Sequence, residues 1–209
     1  GNEAPVLTRE YPADGGFFTW GDVLPYKFTA TDAEDGPVIA CNRLNWTFGL
    51  GHDSHAHPLQ SISRTCEGGL TTPADAVEHG ETEKLYGVIV ARYTDAGSPS
   101  AAAATSEVSS IVNTREQQAE HSNSLTGAER VADDSAQAFQ KVVFGEGGQL
   151  TYDTVNFVNI DGVTARAQGT GTVELRWGAA DAAPFATAAI DSASGEIAVI
   201  AAISASISA

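Results

Sequence analysis

Large apolar residues recur at every second position through the first half of the chain. Tyr26, Phe28 and Ala30 alternate with Lys27, Thr29 and Thr31, and Leu44, Trp46, Phe48 and Leu50 alternate with Asn45, Thr47 and Gly49. Tyr86-Gly87-Val88-Ile89-Val90-Ala91-Arg92-Tyr93 is a further apolar, β-branched run, and Pro5-Val6-Leu7-Thr8 a shorter one. A period of two marks strands with one buried face. Turn chemistry separates the runs: Pro12-Ala13-Asp14-Gly15-Gly16, the acidic Asp32-Ala33-Glu34-Asp35-Gly36, and Gly97-Ser98-Pro99-Ser100 before an alanine run. Ser109-Ser110-Ile111-Val112-Asn113 reads as a closing strand. No long segment has the 3.6-residue period of a helix, so residues 1–113 are expected to form a β-sandwich.

The second half continues in the same style. Lys141-Val142-Val143-Phe144, Gln149-Leu150-Thr151-Tyr152, Gly162-Val163-Thr164-Ala165-Arg166-Ala167 and Thr172-Val173-Glu174-Leu175-Arg176-Trp177 are predicted strands. Gly145-Glu146-Gly147-Gly148 and Gly169-Thr170-Gly171 are predicted turns. Residues 197–209 are built almost wholly from Ile, Ala and Ser, an alternation that permits strands but carries little identity. The whole chain is therefore expected to be all-β, with a boundary between residues 113 and 114 where the composition shifts to Arg115-Glu116-Gln117-Gln118.

Composition narrows the partners. With 209 residues and 42% hydrophobic positions the chain has enough apolar material for packed cores. Its formal net charge of −16 weighs against nucleic acid and anionic membrane, which would repel it. No apolar run approaches the ~18 residues of a membrane span, and Gly1-Asn2-Glu3 does not begin a leader. The expectation is a soluble, mature protein with no membrane insertion.

Candidate chemistry is concentrated in one place. Cys41 and Cys66 are the only cysteines, 25 positions apart, and are read as one disulfide of an oxidising compartment; two buried thiols are the alternative. Between them runs Gly51-His52-Asp53-Ser54-His55-Ala56-His57-Pro58, which holds three of the five histidines. Imidazole and carboxylate ligate zinc and copper. On a strand His55 and His57 would point the same way, and a turn at Gly51 could fold His52 or Asp53 beside them. Three readings stay open: a divalent metal site of His52, Asp53, His55 and His57, a polar hairpin whose histidines bond one another, and a catalytic centre. Residues 32–36 offer calcium oxygens or, as the alternative, an ordinary solvated turn. The chain has no GxSxG, Walker A, GxGxxG or HExxH segment. A non-enzyme without an organic cofactor is expected.

Some of these segments carry a resemblance. Asn2-Glu3-Ala4-Pro5-Val6, Asp32-Ala33-Glu34-Asp35-Gly36 and the strands between them resemble polycystic-kidney-disease-like (PKD) immunoglobulin-type domains. The histidine stretch before a cysteine looks like the version attached to secreted sugar dehydrogenases and ThuA-like proteins. Gln118-Ala119-Glu120, Gly147-Gly148-Gln149-Leu150-Thr151-Tyr152, and the segments 163–167 and 171–176 resemble a family 6 carbohydrate-binding module, a β-jelly roll. The resemblance implies an immunoglobulin/PKD-like sandwich over residues 1–113 and a jelly roll, shorter than that family's usual length, over residues 114–209. It implies a structural calcium with Glu120 as a ligand, and a polysaccharide partner. For sugar stacking and hydrogen bonding the second half offers Trp177, Tyr152 and Asn156. The function expected is that of a secreted, extracellular, non-catalytic accessory protein that anchors to polysaccharide. Its rival is a structural or adhesive protein that self-assembles into a filament or surface stalk through an exposed strand.

Overall fold

The structure, a computed structural model, describes residues 1–36, 40–74, 83–136 and 139–191, together with the backbone of 195–199. By spatial contact the chain divides into two units, Gly1–Asn156 and Phe157–Ala209. The compositional shift at residues 113–114 falls inside the first unit, at the end of a strand that runs from Thr105 to Thr114.

In the first unit β1 (Val6–Tyr11), β3 (Val23–Thr31) and β6 (Glu67–Thr71) form a three-stranded antiparallel sheet in the order β1-β3-β6. A second sheet has the order β2-β8-β7-β4-β5, from β2 (Gly16–Phe18), β4 (Leu44–His52), β5 (His55–Ser63), β7 (Tyr86–Thr94) and β8 (Thr105–Thr114). Only the short β2 lies parallel to its neighbour, β8. The period-two stripes meet between the sheets. Leu24, Tyr26, Phe28 and Ala30 of β3 are buried with Trp46 and Phe48 of β4, Ile89, Ala91 and Tyr93 of β7, and Val112 of β8. The Trp46 ring lies 4.6 Å from Tyr26 and 5.6 Å from Phe28, centroid to centroid. Each such side chain contributes roughly 1.5–3 kcal/mol by leaving water, which is why the alternation specifies this pairing of sheets. Cys41 and Cys66 form the expected disulfide, with a Cα–Cα distance of 5.2 Å. Cys41 opens the single 3₁₀ turn before β4 and Cys66 immediately precedes β6, so the bond ties one sheet to the other.

A long antiparallel pair, β9 (Ser124–Ala132) with β10 (Gln140–Thr151), also belongs to the first unit. Here the structure corrects one expectation. Residues 145–148 do not reverse the chain; they form a bulge inside β10, where the register shifts between Phe144 and Gln149. The reason is close backbone approach: a Cβ at Gly148 would sit 2.6 Å from the carbonyl oxygen of Gly127.

In the second unit β11 (Val163–Ala167) pairs with β14 (Gly195–Val199), and β12 (Gly171–Leu175) with β13 (Ala186–Ile190). The inner pair is nested within the outer one, the connectivity of a long hairpin folded back on itself, from which jelly rolls are wound. The low-complexity residues beyond Val199 lie outside the described residues. Helical structure among the described residues is confined to two 3₁₀ turns, Cys41–Arg43 and Ala119–His121. The chain is all-β.

Candidate metal centre

The β4–β5 hairpin brings three imidazoles to one face. Core-facing positions of β4 run Leu44, Trp46, Phe48 and Leu50, and the next in the series is His52, which ends the strand with only 8% of its surface exposed. A two-residue turn, Asp53-Ser54, follows. Asp53 takes a left-handed conformation, φ 49°, which a short polar side chain tolerates better than most. The chain then returns with His55 directly opposite His52 and His57 opposite Leu50. Cross-strand partners share a face, and so do residues two apart.

This convergence depends on an irregularity. Lower in the hairpin Trp46 faces Ile62 and Phe48 faces Gln60, but above it Gly49 faces Pro58. One extra residue, Leu59, is absorbed as a bulge. Had the lower register continued, Ala56 would stand opposite His52, and His55 and His57 would point to the other face. Gly51 contributes as well: a Cβ there would meet the Tyr86 ring at 2.2 Å, so only glycine lets β7 pack this closely.

The rings are arranged around a common point. His52 and His57 are nearly parallel, 12° between planes with centroids 5.3 Å apart, and their Nε2 atoms are 3.2 Å apart. His55 stands edge-on to both, with centroids 4.1 Å from His52 and 5.0 Å from His57. No pair of candidate ligand nitrogens is separated by more than 4.8 Å. Two imidazole nitrogens on a tetrahedral zinc, each about 2.05 Å from the ion, lie about 3.3 Å apart. The His52–His57 pair already has that spacing. His55 and His57 are exposed, so ring rotation closes the remaining gap.

Around the far nitrogen of His52 stand two carboxylates of the described residues. Its Nδ1 is 3.5 Å from Asp53 Oδ2 and 3.6 Å from Glu83 Oε2. Asp53, expected as a ligand, thus faces the nitrogen turned away from His57, and its side chain is 81% exposed. Glu83 was not legible in the sequence. It lies 31 residues beyond His52, just before β7, and nothing distinguishes it among 27 acidic residues until the fold sets it against the hairpin.

Glu120, Tyr152, Asn156 and Trp177 are not members of this cluster. Glu120 is buried in the 3₁₀ turn Ala119–His121, where its backbone oxygen accepts a hydrogen bond from Arg130 Nε. Among the described residues the only group of three or more ligating side chains is His52, His55 and His57, and Glu120 belongs to none. The Tyr152 hydroxyl donates to the Gln118 carbonyl at 2.8 Å, and burial, then the Glu120 carboxylate, pushes its pKa up to about 12. Asn156 donates its backbone N–H to the Gly15 carbonyl. Both belong to the first unit; Trp177 is in the second, 49% exposed, with its ring 5.9 Å from Phe157, which in turn lies 6.1 Å from Phe185. In the acidic turn Asp32 Oδ1 accepts the backbone N–H groups of Glu34 and Asp35, and Asp35 pairs with Arg43. That is turn chemistry. A depression of about 450 Å³ beside the disulfide, lined in part by Lys27, Phe28 and Glu67, shares no residue with the histidine cluster.

No protein-family model matches the chain, and no curated protein or solved structure is significantly similar to it. The likeness to PKD and family 6 modules therefore rests on the short motifs alone. Among the described residues no helix is long and apolar enough to cross a membrane. The disulfide fits an oxidising compartment.

Proposed function

We propose that the chain is a non-catalytic extracellular binding protein whose first unit holds one divalent ion, zinc or copper, at the tip of the β4–β5 hairpin. The observation that carries this reading is the bulge-set convergence of His52, His55 and His57, with the His52–His57 nitrogens 3.2 Å apart. In the metal-free hairpin that short contact holds a proton between two nitrogens, and an ion takes the proton's place. The tetrahedral spacing favours zinc; a square-planar copper would need cis nitrogens closer, at about 2.8 Å. Three protein nitrogens leave a fourth position for water or an outside ligand. Zinc hydrolases also leave that position open, but they place it in a cavity that holds substrate. His55 and His57 are exposed on a hairpin tip, which supports binding over turnover.

Titration with zinc in competition with a chromophoric chelator tests the reading. One ion per chain with micromolar or tighter affinity is expected, lost in the double variant His52→Ala/His57→Ala. Uptake of neither zinc nor copper by the wild-type chain would overturn it. Hydrolysis of an activated ester by the zinc-loaded protein, above the rate with free zinc, would move the centre to the enzymes.

A second activity is favoured by Trp177, half exposed and backed by the Phe157–Phe185 pair. An indole face held in this way is a stacking platform for a pyranose ring, in line with the polysaccharide partner and secreted location implied by the family 6 resemblance. Retardation in gels containing xylan, glucans or agarose, lost in Trp177→Ala, is expected. The calcium implied at Glu120 is tested in the same gels: no retardation with or without it removes the sugar reading.

A further inference from the structure

The buried histidine of the proposed centre, His52, lies between a second imidazole and carboxylates. His52 presents Nε2 toward His57 and Nδ1 toward carboxylates, so a metal at Nε2 requires the proton to reside on Nδ1. Among the described residues two carboxylates are in range, and they differ in environment. The Asp53 side chain is 81% exposed, on the hairpin turn itself. The Glu83 side chain is 39% exposed, but its Oε2, the atom 3.6 Å from Nδ1, is buried and has no closer hydrogen-bond donor among the described residues. A buried carboxylate oxygen without a donor is costly, more so when the group is charged. Its position therefore makes physical sense only beside a group that donates to it. Water screens an exposed carboxylate and weakens its hold on a neighbour, whereas a desolvated oxygen acts at nearly full strength.

Resting on the metal reading above, we propose that Glu83 is the outer carboxylate of the centre: it accepts the Nδ1 proton of His52 and so fixes the tautomer that offers Nε2 to the ion. It also makes that imidazole more electron-rich, which strengthens the bond to the metal. Glu83 touches no metal; it is a positioning residue. It further links the hairpin to the segment entering β7, the strand next to β4 in the sheet, so that an ion on the hairpin is felt by the sheet behind it.

The test compares zinc affinity of the wild-type chain, Glu83→Gln and Asp53→Asn by chelator competition, with the His52 tautomer read from long-range ¹H–¹⁵N NMR spectra of the metal-free proteins. Loss of an outer carboxylate of this kind weakens metal binding about 10–100-fold. That loss is expected for Glu83→Gln, with less than about threefold for the exposed Asp53→Asn. The wild-type spectrum is expected to show His52 protonated at Nδ1, and Glu83→Gln a mixture of tautomers. Unchanged far-UV circular dichroism of the variant would separate this effect from misfolding. If wild-type protein binds zinc and Glu83→Gln binds it equally well, or if Asp53→Asn weakens it as much, the proposal is overturned while the metal centre stands. If wild-type protein binds no zinc, the reading beneath it has failed instead.

Discussion

His52 is a core-facing position that carries a polar side chain. Trp46, Phe48 and Leu50 of the same stripe are almost fully buried, and His52 is 8% exposed at the point where the strand leaves the sandwich. Burial removes competing water from the ring, and it limits the directions in which the ring can reach. Both effects favour a ligand with a fixed aim. His55 and His57, outside the core, supply the adaptable part. Tyr152 shows the opposite outcome, a residue expected at a sugar site whose hydroxyl is already used internally. With its pKa pushed up to about 12, chiefly by burial and then by Glu120, it favours the folded chain in its neutral form. An unfolded tyrosine ionises near 10. The raised value means that this contribution is intact below about pH 10 and is lost as the pH rises through 12. Tyr152→Phe is expected to flatten the stability profile over that interval. It should also cost about 1 kcal/mol at neutral pH through the lost bond to the Gln118 carbonyl. Urea unfolding at neutral and alkaline pH measures both.

At the scale of elements, what alternation encodes is the faces of regular strands. β3, β4 and β7 could be read because Tyr26, Phe28, Trp46, Phe48 and Ile89 repeat at period two and nothing interrupts them. β5 could not be read in the same way. It is an edge strand with mostly exposed residues, and its bulge at Leu59 breaks the period between Ile62 and His57. A bulge has no sequence signature when the extra residue is an ordinary leucine, so alternation alone gave the common face of His55 and His57, and His52 joined them in the sequence only through an expected turn. The bulge makes an unusual expectation. Deleting Leu59 restores regular pairing on both sides and leaves His55, His57 and Ile62 on their present face. Zinc affinity should change by less than about threefold. One alanine inserted between His55 and Ala56 sends the two histidines to opposite faces, and affinity should fall at least about tenfold. The same chelator assay reads both. Gly51→Ala should destabilise the hairpin by about 1–3 kcal/mol, because the new Cβ would fall 2.2 Å from the Tyr86 ring.

For the molecule as a whole, the all-β class and the disulfide followed from local pattern and cysteine count. The division into units did not. A change of composition at residues 113–114 is a surface property, whereas the β9–β10 pair and residues up to Asn156 associate with the first unit through contacts distant in sequence. Asn113 illustrates this, since its side chain donates to the carbonyls of Gly15 and Thr154. The Cys41–Cys66 bond acts on this scale too, because it joins the two sheets and shortens the unfolded chain's freedom. Replacing both cysteines by serine is expected to lower the stability of the first unit by about 3 kcal/mol, measured by chemical denaturation against the oxidised wild type. With 16 net negative charges and no lysine or arginine between Arg43 and Arg64 in the sequence, the protein should also attract divalent ions from dilute solution more readily at low salt than at high.

Two exposed imidazoles, His55 and His57, at the end of one hairpin have a practical consequence. Immobilised nickel binds surface histidine pairs two residues apart on a strand, because both rings reach one ion. The untagged chain should therefore be retained on such a resin and released by imidazole. In that sense the hairpin is a chromatographic handle written into the native sequence.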